Sequence, residues 1–403
     1  AAFADLDQDS DLDMVLGKWS HGIERHFRTH GANNELWLNE SGALEKFSLF
    51  DADPPGSTLT ILLSDLNGDS IPDIVTGNDR QVPDIFYFSE AILEYAPSGS
   101  STIPQTSLNT MSYDSADFNN DLKLDIFSSD MTFVESGKDD YCADIDDADQ
   151  AQRCRSLVEI GRQVNSLNID WCSSLTDKPQ GGAAQAEREQ AECLAATILK
   201  IAIRDKKPEL CTKIPPGFPA KQHYCQNTAG EIPADAGINI SDYPAQLTTN
   251  KYLMAWGNRF LDVTEDAGVA RSNWSWNARG FDADNDGYQD IFVGTGYGFG
   301  APDTNDFTID LQVFSNVLFH NNAGTGFSRA EDSFGAENYI NTSTYTLTDY
   351  DLDGDLDIIE YGQGTGISIL ENRLSDNNTV TFVFDDERGN RACIGCKIII
   401  ETA

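Results

Sequence analysis

The chain has 403 residues, of which 66 are acidic and 27 basic, giving a formal net charge of −39. That surplus argues against a nucleic-acid partner, whose phosphates need basic patches, and equally against an anionic membrane surface. No apolar run of 18 residues occurs, so no membrane-spanning helix is expected.

The first landmark lies near the start, where "DLDQDSDLD" sets Asp5, Asp7, Asp9 and Asp13 in the pattern D-x-[DN]-x-D-x-x-x-D. Packed carboxylates repel one another and are driven to protonate unless a cation neutralises them. Alternate spacing lets a tight loop turn its side chains toward one centre, and hard oxygen ligands suit calcium. A strand-like run, "MVLG", follows. Next, "SHGIERHFRTHG" gathers His21, His26 and His30. On a helix, His26 and His30 would share a face and suit a transition metal. No carboxylate completes an HExxH pattern, and the segment reads as a polar surface loop.

The loop pattern returns four times. "DLNGDSIPD" carries Asp65, Asn67, Asp69 and Asp73, between the strand-like runs "TLTILLS" and "DIVTG". "DFNNDLKLD" carries Asp117, Asn119, Asp121 and Asp125, followed by "IFSS". "DADNDGYQD" carries Asp282, Asp284, Asp286 and Asp290, followed by "IFVG". "DYDLDGDLD" carries Asp349, Asp351, Asp353 and Asp357, between "STYTLT" and "IIEY". The flanks are short and rich in β-branched or aromatic residues, as strands are. Asn for Asp at the third position is the only substitution, and it keeps an oxygen ligand. The seventh position, Asp11, Ile71, Lys123, Tyr288 or Asp355, is expected to offer its backbone carbonyl. Gly354 stands where the fifth loop must turn sharply, which glycine allows. An EF-hand would need flanking helices and a Glu at position twelve. Only Glu360 fits there, against Leu16, Thr76, Ser128 and Val293. The expectation is five calcium ions in strand-loop-strand units, which would reduce the net charge to about −29.

The loop starts are spaced as four-stranded blades would be, except between Asp117 and Asp282, where residues 137–236 read as an insertion. Two stretches there, Asp147–Val164 and Ala183–Asp205, have apolar residues at helical spacing among good helix formers. Six of the eight cysteines lie here, and local proximity suggests the pairs Cys142–Cys154, Cys172–Cys193 and Cys211–Cys225. The remaining pair, Cys393 and Cys396 in "CIGC", lies in a strand-like run. That disfavours a thioredoxin-type motif and suggests a local disulfide or a link outside the chain. In "WSWNARG", Trp274 and Trp276 read as inter-blade packing in preference to a carbohydrate platform.

This strand-loop-strand unit resembles the FG-GAP or VCBS-type blade of β-propellers, as in integrin α-subunits and many secreted proteins. The segments from Asn258 to Gly294 and Asn316 to Gly335 are similar to blades of the cartilage acidic protein family, and "RGNRACIGCKIIIETA" resembles the start of its ASPIC/UnbV domain. Cys393 and Cys396 replace small residues there. The resemblance covers 250–403 well and the first 136 residues through the loops alone. It implies a mainly β fold, a seven-bladed propeller of which five calcium-loop blades are visible, the chain being a fragment or processed form. The expected divisions are 1–136 and 237–378 for the blades, 137–236 for a disulfide-stapled helical module, and 379–403 for the ASPIC/UnbV-like segment.

Calcium loops and paired cysteines suit an oxidising, calcium-rich exterior. Sequons at Asn39, Asn239, Asn273, Asn341 and Asn377 would matter only in a eukaryotic host. No nucleophile elbow, P-loop or axial acid–base constellation is recognisable, so a non-enzymatic role is expected. The leading expectation is a secreted or cell-surface adhesion or binding scaffold for an extracellular protein or glycan. The alternatives are a structural subunit of an extracellular assembly, with self-association, and a carbohydrate-active propeller enzyme such as a lyase.

Overall fold

The computed structural model describes residues 1–18, 33–51, 57–79, 83–131, 167–175, 183–205, 207–217, 244–296, 315–338, 340–362 and 366–373, with a few isolated positions besides. The protein is mainly β, in a five-blade β-propeller arrangement. Blade one comprises β1 (Ala2–Ala4), β2 (Asp13–Leu16), β3 (Glu35–Glu40) and β4 (Ala43–Phe47). Blade two comprises β5 (Thr58–Ser64), β6 (Asp73–Asn78), β7 (Ile85–Ala91) and β8 (Glu94–Pro97). A short strand, β9 (Gln105–Ser107), precedes β10 (Thr110–Ala116) and β11 (Asp125–Asp130) of blade three. After β12 (Ala245–Leu247), which pairs in parallel with β9, blade three is completed by β13 (Lys251–Trp256) and β14 (Arg259–Asp262). Blade four comprises β15 (Ser275–Phe281), β16 (Asp290–Thr295), β17 (Val317–Asn321) and β18 (Phe327–Arg329). Among the described residues, blade five has three strands, β19 (Thr342–Thr348), β20 (Asp357–Gly362) and β21 (Gly366–Leu370). Every pairing within a blade is antiparallel and joins successive strands of that blade.

The second strand of a blade explains the architecture. In β6, β11 and β16 all six residues are buried. A strand covered on both faces reads as a continuous apolar run, here "IV", "IF" and "IFV" after the opening Asp. Separate apolar cores fill the spaces between blades one and two, two and three, three and four, and four and five. Aromatic rings meet edge-to-face in them, as in Phe86–Tyr113 at 5.6 Å and Phe292–Tyr345 at 4.9 Å. Blades approach so closely that the fifth residue counted from the aspartate that opens the second strand is small. Gly17, Gly77, Ser129 and Gly294 occupy that place in blades one to four. A Cβ on Gly77 would lie 2.4 Å from Thr60 Cγ2 and 2.8 Å from Thr110 Cγ2. In blade five the same position is Tyr361, which is exposed.

A second compact unit, separate from the one holding the strands, contains the helices. The short α1 (Ile169–Ser173) is capped by Asn168, whose side chain accepts the Trp171 N–H. The long α2 (Ala183–Arg204) ends one residue short of the stretch read from helical spacing. A 3₁₀ turn follows at Pro208–Lys213. Ala195, Ile198 and Ala202 of α2 pack with Cys211, Ile214 and Cys225. Two expected disulfides are present, Cys172–Cys193 and Cys211–Cys225. Cys142, Cys154, Cys393 and Cys396 lie outside the described residues, as do His21, His26, His30, His223, Asn239 and Asn377. Trp274 and Trp276 are half-buried, and Trp274 forms an isolated antiparallel bridge with Met131, just after β11 of blade three. Their rings lie 6.2 Å apart and the Trp276 indole N–H donates to the Gly296 carbonyl, so they pack on each other and on backbone at the end of β15.

Candidate metal centres

Each of the five acidic loops joins the first and second strands of its blade. The backbone is the same in all five. Positions four and six have positive φ: Gln8 and Ser10, Gly68 and Ser70, Asn120 and Leu122, Asn285 and Gly287, Leu352 and Gly354. Seven of these ten residues are not glycine, each at a cost of roughly 1–2 kcal/mol in the left-handed region. Strain of that kind persists only where the surroundings over-determine it, and it clusters at functional sites.

Carboxylates hold that shape. The first aspartate accepts the backbone N–H of position six in every loop, and that of position five in the third, fourth and fifth. Asp282 takes those of Asp286 at 3.0 Å and Gly287 at 2.8 Å, and Asp117 takes Asp121 at 2.9 Å and Leu122 at 2.7 Å. Asp65 and Asp349 bind Ser70 and Gly354 in the same way. The fifth-position aspartate accepts the N–H of position seven throughout, at Asp9, Asp69, Asp121, Asp286 and Asp353. The residue at position two plugs the loop into the core as Leu6, Leu66, Phe118 and Ala283; Tyr350 is exposed in blade five.

The ninth-position aspartate has a second duty that the spacing alone did not reveal. Asp13, Asp73, Asp125, Asp290 and Asp357 are at most 1% exposed. One oxygen of each accepts an N–H from the third strand or the residues after it: Asn39, Ser89, Ala255, Asn321 and Asn372, at 2.7–2.9 Å. In four loops the other oxygen accepts the position-two N–H, from Leu6, Leu66, Ala283 and Tyr350. In blade three Tyr252 donates its hydroxyl to Asp125 instead. Burial pushes Asp73 and Asp290 up to about 6 and Asp125 to about 7. These residues clamp the loop to the blade.

Ligand atoms converge within 4.8 Å of one another for Asp5, Asp7 and Asp13, for Asp282, Asp284 and Asp286, and for Asp349, Asp351 and Asp353. In blade two Asn67 is turned into the protein, donating to Asp69 at 3.1 Å and to the Ser89 carbonyl at 3.0 Å. Asn119 accepts the Asp121 N–H. At position seven, expected to act through its carbonyl, Asp11 and Asp355 bring carboxylates inward. Buried oxygens of Asp5 and Asp11, and both of Asp355, lack any hydrogen-bond partner. Asp355 is only 3% exposed. Burial, with repulsion from Asp353 and Asp357 adding to it, pushes its carboxyl up to about 6; burial does the same to Asp7. Orphaned buried carboxylate oxygens in an all-oxygen donor set fit a hard divalent cation. Ile71, Lys123 and Tyr288 have no side-chain oxygen at position seven except the Tyr288 hydroxyl. Glu360, the one EF-hand-like residue, is fully buried and takes donors from Asn316, Asn338, Thr342 and Ser368, so its carboxylate pins blades four and five together.

A further repeat lies at the start of the third strand. Asn34, Asp84, Asn250 and Asn316 each accept, through the side chain, a backbone N–H from the end of the second strand or just beyond: Lys18, Asn78, Asp130 and Thr295. Three of them reach onward. Asp84 accepts the hydroxyls of Thr110 and Tyr113, both at 2.6 Å, Asn250 donates to Ser272, and Asn316 donates to Thr342. The sequence signal is a polar residue before an apolar run, as in "NELWL", "DIFYF", "NKYLM" and "NVLFH".

The fold and the loops together define a class: an acidic β-propeller with one cation-type loop per described blade. No protein-family model matches the chain, and no curated protein matches it either.

Proposed function

We propose that this protein is a calcium-binding β-propeller of the cell exterior, whose rigid blades present loops to an extracellular protein or glycan. The observation that carries the calcium reading is the set of partnerless, buried carboxylate oxygens of Asp5, Asp11 and Asp355 in loops whose strained backbone is shared by all five blades. A cation would satisfy those oxygens and remove the repulsion that raises the Asp355 pKa. Asp5, Asp7 and Asp13, whose ligand atoms converge, would hold it in the first loop together with Asp9 and Asp11; the corresponding residues serve the other four. The two disulfides support an oxidising compartment. No helix among the described residues is long and apolar enough to cross a membrane. Binding through loops on a rigid frame is the usual use of such an architecture. A glycan and matrix-protein array run with calcium and with chelator tests both parts of the reading. Calcium-dependent binding to a discrete ligand is expected. Absence of bound calcium by elemental analysis overturns the metal reading, and binding indifferent to calcium overturns the link to recognition.

A further inference from the structure

One loop differs from its four relatives in chemistry. The residue just before each third-strand N–H donor is Leu38 in blade one, Phe88 in two, Met254 in three and Glu371 in five. In blade four it is His320, and its ring lies over the loop. His320 Nδ1 is 3.0 Å from Asp290 Oδ1 and 3.8 Å from Asp284 Oδ2. The three side chains place one ligand atom each within 4.8 Å of the others. The ring is fixed by packing on Phe334, with centroids 5.4 Å apart, while its 25% exposure leaves a path for an ion. Asp290 in turn is fixed by the N–H groups of Ala283 and Asn321.

We propose that His320, Asp284 and Asp290 form a site for a first-row transition cation of borderline softness, such as Zn²⁺, in a selectivity class apart from the all-oxygen loops. An imidazole nitrogen with two carboxylates suits such ions, whereas calcium takes oxygen alone. Ligands at about 2.0–2.2 Å from a tetrahedral ion sit about 3.4 Å from one another, between the 3.0 Å and 3.8 Å that separate His320 Nδ1 from the two carboxylate oxygens. The remaining positions belong to water or to Asp282 and Asp286, so in the fourth loop this ion takes the place of calcium. Ligation needs Nδ1 without its proton, so the imidazole carries its hydrogen on Nε2 in the bound state, and any proton on Nδ1 leaves to solvent. The inference rests on the loops being cation sites and deepens that reading.

The test is titration of the calcium-saturated full chain with Co²⁺, followed by its visible ligand-field absorption, and with Zn²⁺ by calorimetry in two buffers of different ionisation enthalpy. The wild type is expected to take up one equivalent and to release the calcium ion of its fourth loop. His320→Gln is expected to bind at least tenfold more weakly and to lose the ligand-field band, with calcium stoichiometry unchanged. His26→Ala is expected to behave as wild type, which separates the site from the other histidines. Failure to bind Co²⁺ or Zn²⁺ by a protein that holds its calcium overturns this inference alone, as does undiminished binding by His320→Gln. A protein that takes up neither calcium nor Co²⁺ overturns the loop reading itself.

Discussion

At the scale of single residues, the aspartates of a loop do different work. Asp357 is fully buried and accepts N–H groups from Tyr350 and Asn372, which ties the loop to the end of the blade. Asp353 accepts one bond within its loop and otherwise faces the cluster with Asp349 and Asp351. Asp353→Ala is therefore expected to remove one calcium from the stoichiometry with little loss of fold. Asp357→Ala leaves two N–H groups without acceptors, at about 1–3 kcal/mol each, and is expected to lower the melting temperature even in chelator. Comparing both variants with and without calcium checks the division. Asp84 is a different case, remote from any loop ligand. It stands where three other blades have Asn, and burial pushes its carboxyl up to about 7; Asp130, also buried, is pushed to about 7. In the unfolded chain both titrate near 4. Between those values the native state holds more protons than the unfolded one, so stability falls as pH rises toward and through about 7. In saturating calcium, the wild-type melting temperature is expected to decline from about pH 5.5 to about pH 8. Asp84→Asn is expected to flatten that decline and to melt higher at the alkaline end. The Thr110 and Tyr113 hydroxyls can turn to accept from the new amide.

At the scale of elements, what was legible in the sequence was what keeps a fixed register. The loops repeat without gaps because backbone bonds from positions six and seven close on the same two carboxylates each time, so one misplaced residue would break the turn. The fully buried second strands were legible for the same reason. The third-strand residues Asn34, Asp84, Asn250 and Asn316 escaped notice because Asn and Asp both serve, and because their distance from the loop varies from blade to blade. His320 escaped because it is separated from its loop by residues 297–314, and only the pairing of Ile291 with Phe319 brings it back beside Asp290. Nor does the pattern announce the steric demand at Gly77, which reads as an ordinary strand residue. Its added Cβ would strike Thr60 and Thr110, side chains of the adjacent strand and the next blade. Gly77→Ala is expected to cost about 1–3 kcal/mol, since overpacking forces rotamers or backbone to shift. Tyr361→Ala, at the corresponding but exposed place in blade five, is expected to be near neutral. Denaturant melts of the two variants check the contrast.

At the scale of the whole molecule, charge and insertion set the terms. With −39 formal charges and clustered carboxylates, the metal-free chain carries strong self-repulsion. Each ion bound only by the native state adds about 2.7 kcal/mol at a hundredfold excess over its Kd. Chelator is expected to lower the melting temperature steeply, with the first and fifth loops, which bring the extra carboxylates of Asp11 and Asp355, the last to release their ions; stepwise calcium release by Asp9→Ala and Asp353→Ala proteins checks the order. Residues 137–236 test the independence of the blades. The blade-three strands on either side of this segment, β11 and β13, are hydrogen-bonded neighbours, with Ile126 opposite Leu253 and Ser128 opposite Lys251, the short β12 lying between them in sequence. The segment thus leaves and rejoins blade three between two adjacent strands, as a long hairpin loop does, and the helices within it pack on their own disulfide-linked core. Loop-closure entropy changes slowly with length, so replacing a long connection by a short one costs the blade little. A protein joining Ser136 to Gly237 through a short Gly/Ser linker is expected to keep its calcium stoichiometry and a β-type circular dichroism spectrum, and to lose partner binding. Failure of that shortened protein to fold, where the intact chain folds, would mean that the segment contributes to the core of the blades. Retention of full partner binding would instead move recognition onto the blades and their acidic loops.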